Sequence, residues 1–452
     1  VSEMRLIARH AGTVLAGQLA VMAYGVTDTL VAGRHSPEAL AALAVGSAFY
    51  ISVYVGLMGV LQALLPIWAE LQGAGRPEAV GRSVRQSLYL GAVAAVLGMG
   101  LLLWPEPALE WTQVPEALRP DVRQYLAVLA WALPPALLFR IYSTLSQALH
   151  QPRLVTALQL GGLAIKVPLS MLLTWGGAGL PAYGATGCAV ATLVVNYSLL
   201  GLGLLMLQRQ AAYRPLQLWQ PLERPDRSQL AQFMRLGLPA GLSVMVEVTS
   251  FTLMALFIAR LGTTAAASHQ IAANVTAVLY MVPLSLAIAT SARTSYWLGA
   301  DQPAQARAAV QTGLGLAVGL SVLASGALLL GREALPRWYA ESPEVAQQAA
   351  PLLLWVALYH LADAWQTLCV FVLRCYRVTL VPLLVYSVLL WGAGLGGGYV
   401  LAYQGLGNQA PWASADAFWA SSTVALAVAA AVLTPMLWIA LRRSMAAQTP
   451  PH

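Results

Sequence analysis

Apolar residues run in twelve long stretches along the chain, and polar residues gather in the short gaps between them. The stretches fall at about 6–32, 39–68, 84–104, 121–149, 154–176, 184–208, 229–260, 265–292, 305–331, 344–373, 379–403 and 415–441. Each approaches or exceeds the roughly 20 apolar residues that carry a helix across a bilayer. Turn formers punctuate the gaps: Ser36-Pro37, Gly73–Pro77, Gln302-Pro303 and Ser342-Pro343. The pattern predicts an all-α integral membrane protein of twelve transmembrane helices. The longest gap, Gln208–Ser228, is polar and Pro-rich and reads as a linker.

The two halves resemble each other. A shift of 226 residues sets GAGRPEAVGRSV (73–84) on GADQPAQARAAV (299–310) without a gap, and sets Arg9 on Arg235, Arg34 on Arg260 and Ala39 on Ala265. The expected organisation is an N-terminal lobe (1–207), a cytoplasmic linker (208–228) and a C-terminal lobe (229–452). An even number of spans per repeat gives both lobes the same orientation. Two six-helix lobes are then related by a pseudo-two-fold along the membrane normal, with a site expected between them near mid-membrane.

Composition narrows the class. Of 452 residues, 58% are hydrophobic and only 10% charged, against about 25% charged in soluble domains. The net charge of +7 is spread over short loops rather than gathered into a nucleic-acid footprint. With the N-terminus placed in the cytoplasm, 17 of the 24 arginines lie on that side, six lie outside and Arg140 lies within a span. That asymmetry predicts cytoplasmic N- and C-termini. The cysteines Cys188, Cys369 and Cys375 form no CxxC pair, so neither disulfides nor a metal site are expected. The first apolar run is too long for the h-region of a cleavable signal peptide.

Polar residues inside the spans carry the candidate chemistry. A carboxylate in mid-membrane costs about 2.5–3.5 kcal/mol on insertion scales, and local propensity demands none. Glu247 lies within span 7 with Ser243 and Ser250 on its helical face. Asp363 lies in the middle of span 10, with Tyr359 at i−4 and Gln366 at i+3. Asp28 lies near the outer end of span 1, where solvation is an alternative. For Glu247 and Asp363 the structural alternative is a packing hydrogen bond to a neighbouring helix. Gln270 and Asn274 face one way on span 8 and either bind a ligand or join helices. His269 beside them reads as a packed side chain. Lys166 is the single lysine of the chain. It sits about twelve residues, roughly 18 Å of helix, from either end of span 5, too deep to snorkel readily. Pairing with Asp28 is one expectation for it. No P-loop, GxSxG, HExxH or Cys/His metal set occurs, which leaves an ion-coupled transporter as the favoured class.

Five segments carry a family resemblance: VTDTLVAGR (26–34), LGLPAGLSVMVE (236–247), AAASHQIAANV (265–275), PLSLAIATSARTSYWLGA (283–300) and ADAWQTLCVFVLRCYRVT (362–379). In order and spacing the chain resembles the MATE (multidrug and toxic compound extrusion) family, in its NorM-like bacterial branch. The resemblance implies two six-helix lobes and export of cationic or amphipathic drugs against inward Na⁺ or H⁺. It implies that Asp28, Glu247 and Asp363 are the acids of helices 1, 7 and 10, with Glu247, Asp363, Asn274 and Gln270 forming a cation site, metal-binding only if the ion is Na⁺. The chain departs from the family's usual LRGYKDT at Cys375 and Val378, and has Gln147 where an acid is common. Lys166, near Asp28, puts in question whether Asp28 binds a cation or is held ionised by a salt bridge.

The resulting expectation is a cation-coupled multidrug efflux antiporter, not an enzyme, in the bacterial inner membrane. It needs no cofactor beyond its coupling ion, Na⁺ or H⁺, works as a monomer and takes small organic cations. Met254, Tyr359, Gln366 and Trp365 are its candidate drug contacts, with ordinary helix packing as their alternative. The runner-up is a flippase for lipid-linked precursors, which would need more basic residues at depth than Lys166 and Arg140. An intramembrane enzyme lacks any nucleophile–base set.

Overall fold

The computed structural model describes residues 2–448. Helices build it, and among the described residues the sole β-type pairing is an isolated bridge between Gly177 and Leu180. Among the described residues, twelve helices are long and apolar enough to cross a membrane. In chain order the elements are α1 (Glu3–His35), α2 (Pro37–Gln62), α3 (Leu65–Gly73), α4 (Pro77–Leu103), the short α5 (Glu106–Trp111), α6 (Arg119–Ala148), α7 (Pro152–Trp175) and α8 (Ala185–Arg209). A 3₁₀ turn, Ala211–Leu216, leads to α9 (Arg227–Ala259), α10 (Thr263–Gly299), α11 (Pro303–Gly331), the short α12 (Leu335–Tyr339) and α13 (Pro343–Cys375). The last two spans are α14 (Leu380–Ser387), continuing through π-helical turns and α15 (Gly397–Tyr399) to Gln404, and α16 (Ala415–Ala446).

The starts follow from the sequence. Proline at the first helical turn opens α2, α4, α7, α11 and α13, where its missing N–H costs nothing and its fixed φ suits the helix. Ser36 caps α2 by accepting from the Ala39 N–H at 3.0 Å. Four elements differ from the hydropathy reading. Span 2, expected to run unbroken over 39–68, breaks after Gln62, because Pro66 lacks the N–H that would bond Gln62 and its ring crowds that carbonyl. Spans 3 and 8, expected at 84–104 and 265–292, run over Pro77–Leu103 and Thr263–Gly299. Their added turns are polar, so an apolar window misses them. Span 11, expected as one helix over 379–403, is π-helical over Val388–Gly396 and again over Val400–Gln404. Its glycines let α16 pack against bare backbone: a Cβ on Gly398 would stand 2.6 Å from the Phe418 ring.

The chain forms two compact units. One is Thr13–Gly241, with α6 at its centre against α2, α4 and α8. The other takes the start of the chain up to Gly12 and everything from Leu242 on, with α13 at its centre against α10, α11 and α16. Thus α1 and α9 each contribute to both units. The connection after α8 is strapped to α4. The Arg85 Nη2 donates to Glu223 Oε1 at 2.7 Å and its Nη1 to the Gln217 carbonyl at 2.6 Å. Gln86 bonds Arg224 and Asp226 through its two amide ends.

Candidate functional site

In the second unit, four helices bring polar groups to one place. Helix α13 presents Tyr359, Asp363, Gln366 and Thr367 at i, i+4, i+7 and i+8, one face of a helix. Asp363 is 2% exposed. It accepts from Gln366 Nε2 at 3.0 Å, and the same amide reaches Thr367 Oγ1 at 3.3 Å. The Thr367 hydroxyl is also within reach of Asp363 and of Tyr280 from α10. Glu247 from α9 lies close enough to Asp363 to feel its charge, and the Tyr386 hydroxyl of α14 lies beside the Glu247 carboxylate. Gln366 Oε1 is buried with no protein donor.

Among the described residues, no ion pair joins either carboxylate to a base. Asp363 is buried and Glu247 half-buried, and two like charges held close together repel. Such a pair is stable when a positive charge, a proton or a metal cation, joins it. Apart from the Gln366 amide nitrogen that donates to Asp363, the groups around it are oxygens: two carboxylates, a free amide oxygen, and the hydroxyls of Thr367, Tyr280 and Tyr386. That donor set suits a hard cation or a proton and offers nothing to a soft metal.

The first unit is arranged differently. Lys166 of α7 is 1% exposed, and its Nζ lies 2.8 Å from Asp28 Oδ1. It donates further to the Cys188 carbonyl at 3.0 Å and to Thr192 Oγ1 at 2.6 Å. An ammonium has three protons, and here three acceptors meet it. Asp28 also accepts from Ser170 Oγ at 3.3 Å. The pairing expected from sequence is therefore formed, and Asp28 carries a partner that Glu247 and Asp363 lack.

The other expected residues make contacts of their own. Gln270 and Asn274 are exposed on α10 and bond each other at 3.3 Å, outside the hydrogen bonds of the carboxylate cluster. Met254 is a core side chain, with Ser422 Oγ donating to its sulfur at 3.6 Å. Tyr359 packs edge-on against Phe251 and Trp419 at centroid distances of 6.1 and 5.6 Å. Trp365 donates to Thr434 Oγ1 on α16 at 2.8 Å. His269 accepts from Trp419 Nε1 at 3.0 Å, as a packed histidine does. Arg140 is buried, with Nη2 at 3.4 Å from the Tyr54 hydroxyl.

Sequence reasoning missed Tyr280, Thr367, Tyr386, Ser170, Cys188 and Thr192. Two signals were present. Thr367 is i+4 from Asp363, and Thr192 is i+4 from Cys188, so each pair shares a helix face. Nothing in the sequence linked Tyr280 or Tyr386 to the acids, because those contacts join different helices.

The MatE family model matches residues 14–172 and 239–400, once in each half of the chain. A probable multidrug resistance protein NorM of Aromatoleum aromaticum is 38% identical over 444 residues, 97% of this chain and 95% of that protein. The multidrug resistance protein PmpM of Pseudomonas aeruginosa is 34% identical over 403 residues, covering 88% and 84%. The crystal structure of the Vibrio cholerae MATE transporter VcmN in its bent form superposes with a TM-score of 0.84 over 98% of both chains, at 18% identity. That likeness concerns the fold.

Proposed function

This chain belongs to the MatE family, and from that premise we propose that it is a multidrug exporter of the inner membrane, driven by a cation that binds at Glu247 and Asp363. It is a multi-pass transporter and not an enzyme. The relatives' names support drug efflux. The observation that carries the coupling site is the contrast between the acids. Asp28 is neutralised by Lys166 at 2.8 Å, whereas Glu247 and Asp363 face each other without a base.

The mechanism follows from that contrast. The second unit takes up one positive charge from the side of high cation concentration, and the mutual repulsion of its carboxylates falls. Alternating access is driven only if this cation binds one state better than the other. The organic cation is released in the state that the coupling ion favours. Asp28 and Lys166 form a neutral element of the first unit. A drug cation that takes the Asp28 carboxylate must displace Lys166 and leave its buried ammonium without a counter-charge, so the exchange carries the cost of breaking a buried pair. Gln366 belongs to the ion site through its free oxygen. Met254, Tyr359 and Trp365 support the packing of the unit. The arginine asymmetry supports cytoplasmic termini, and the chain is taken to work as a monomer.

The saturated ammonium of Lys166 weighs against a lipid-precursor flippase, since a pyrophosphate would find all three of its protons engaged. The test is efflux of a fluorescent organic cation from proteoliposomes. An imposed Na⁺ gradient at symmetrical pH is compared with an imposed H⁺ gradient without Na⁺. Drive by one gradient, lost in Glu247→Gln, is the expected result and identifies the ion. Folded protein that responds to neither gradient overturns the coupled-export reading.

A further inference from the structure

A cavity of about 410 Å³ opens in the Thr13–Gly241 unit, between α4, α6, α8 and the connection after α8. Its lining is apolar and aromatic: Phe139, Tyr142, Leu204, Leu207, Leu218 and Trp219 among others. Arg85 is the one charged side chain in that lining, and Glu223 already pairs with it at 2.7 Å. The volume falls within the range of small-ligand sites, and the interior offers no unpaired charge.

The connection itself is built against the unit. Tyr213 is buried and shares a hydrogen bond with Ser146 of α6 at 2.7 Å. Leu216 lies so close to α4 that a Cβ on Gly81 would stand 1.8 Å from its carbonyl oxygen. Beyond this anchored turn the chain shows apolar side chains outward, with Trp219 61% exposed and Leu222 52% exposed. Arginines flank them along the chain. Arg209, Arg214, Arg224 and Arg227 are exposed, and among the described residues none has an ion pair. The two acids of the segment are engaged, Glu223 by Arg85 and Asp226 by Arg82.

An apolar slot, an exposed tryptophan at its mouth and a surplus of unpaired arginines match the chemistry of an anionic phospholipid. We propose that this site holds one such lipid from the adjoining leaflet, with an acyl chain in the cavity and its phosphate among Arg209, Arg214 and Arg224. Trp219 and Leu222 enter the same interface. The connection is thereby a lipid-held brace on α4, α6 and α8. The proposal rests on the chain's membrane location and not on the export reading, so the two fail separately.

Native mass spectrometry of the full chain tests it, after exchange into phosphatidylglycerol or phosphatidylcholine of the same acyl chains. Wild type is expected to retain one phosphatidylglycerol in preference to phosphatidylcholine. Leu204→Trp, which fills the cavity mouth, is expected to lose it. Arg209→Ala and Arg214→Ala are each expected to weaken retention roughly five-fold, as for one basic group at an anionic surface. Equal retention of both lipids, or full retention by Leu204→Trp, overturns the site. A second readout does not depend on that variant folding. Brominated-chain phosphatidylglycerol should quench a fluorescence component that Trp219→Phe lacks, and no such component would equally overturn it. Displacement of the quenching lipid by a lipophilic organic cation would make the slot a drug site instead.

Discussion

Lys166 Nζ stands 2.8 Å from Asp28 Oδ1, and its two remaining protons go to the Cys188 carbonyl and Thr192 Oγ1. A buried ammonium with all three protons engaged is held in one geometry. Removing its counter-charge leaves it uncompensated, which typically costs about 3–5 kcal/mol for a buried pair. Asp28→Ala is therefore expected to lower the thermal unfolding midpoint sharply. The double variant Asp28→Ala/Lys166→Met removes the stranded charge and should recover most of that loss. Thermal unfolding of the detergent-solubilised variants checks this. A double variant no more stable than Asp28→Ala would show that the pair does not act as a unit.

Glu247 and Asp363 should behave in the opposite way. Each is an acid without a base, so Glu247→Gln and Asp363→Asn relieve repulsion while keeping side-chain shape. Both variants are expected to fold at least as stably as wild type and to lose gradient-driven efflux by about tenfold or more, within the usual span of coupling energies. Parallel measurement of unfolding midpoint and efflux separates this from a packing role. A variant that unfolds early and loses transport only in proportion would mark its acid as structural.

The spans and the three acids were legible because each is a local signal. An apolar run of bilayer length needs no knowledge of its neighbours, and a carboxylate within it is conspicuous wherever it packs. The break after Gln62 was also local in origin, but Pro66 sits inside an apolar run that hydropathy alone reads as continuous. The partners of the acids were not local. Tyr280 and Tyr386 reach the Asp363–Glu247 pair from α10 and α14, and a tyrosine in a span has many packing uses. Gln270 and Asn274 show the converse. Their i,i+4 spacing correctly put them on one face, but spacing does not say which face a neighbouring helix covers, and they bond each other at the surface of α10.

Gly81 is a second test of packing. Its missing side chain lets the Leu216 carbonyl lie directly on α4, where a Cβ would approach to 1.8 Å. Backbone cannot yield as a side-chain tip does, so Gly81→Ala must lift the 3₁₀ turn and disturb the Tyr213–Ser146 and Arg85–Gln217 bonds. Overpacking of this kind costs about 1–3 kcal/mol. Hydrogen exchange over 211–226 should quicken in Gly81→Ala. Unchanged exchange there, with the rest of the unit intact, would mean that the connection is held by other contacts.

The strap also carries a pH signature with a definite sign. Glu223 lies outside the membrane-spanning segments, and its hydrogen bonds from Arg85 hold its carboxyl below the usual carboxylate range. A carboxyl whose folded pKa is depressed contributes stability that is fully present above its unfolded value. That stability is lost as pH falls through the folded value. The window therefore lies below ordinary carboxylate titration: the strap stays closed at neutral and mildly acidic pH and loosens only in stronger acid. Half-exposure of the carboxylate and screening by salt keep the effect modest. Limited proteolysis of the connection should accordingly be flat from neutral pH down to about 5, a unit or so above the ordinary Glu value, and rise below that range. In Glu223→Gln the step should vanish, with cleavage already raised at neutral pH. A step centred near pH 6 to 7 would instead assign the strap's opening to another titrating group and remove the Arg85–Glu223 pair from its control.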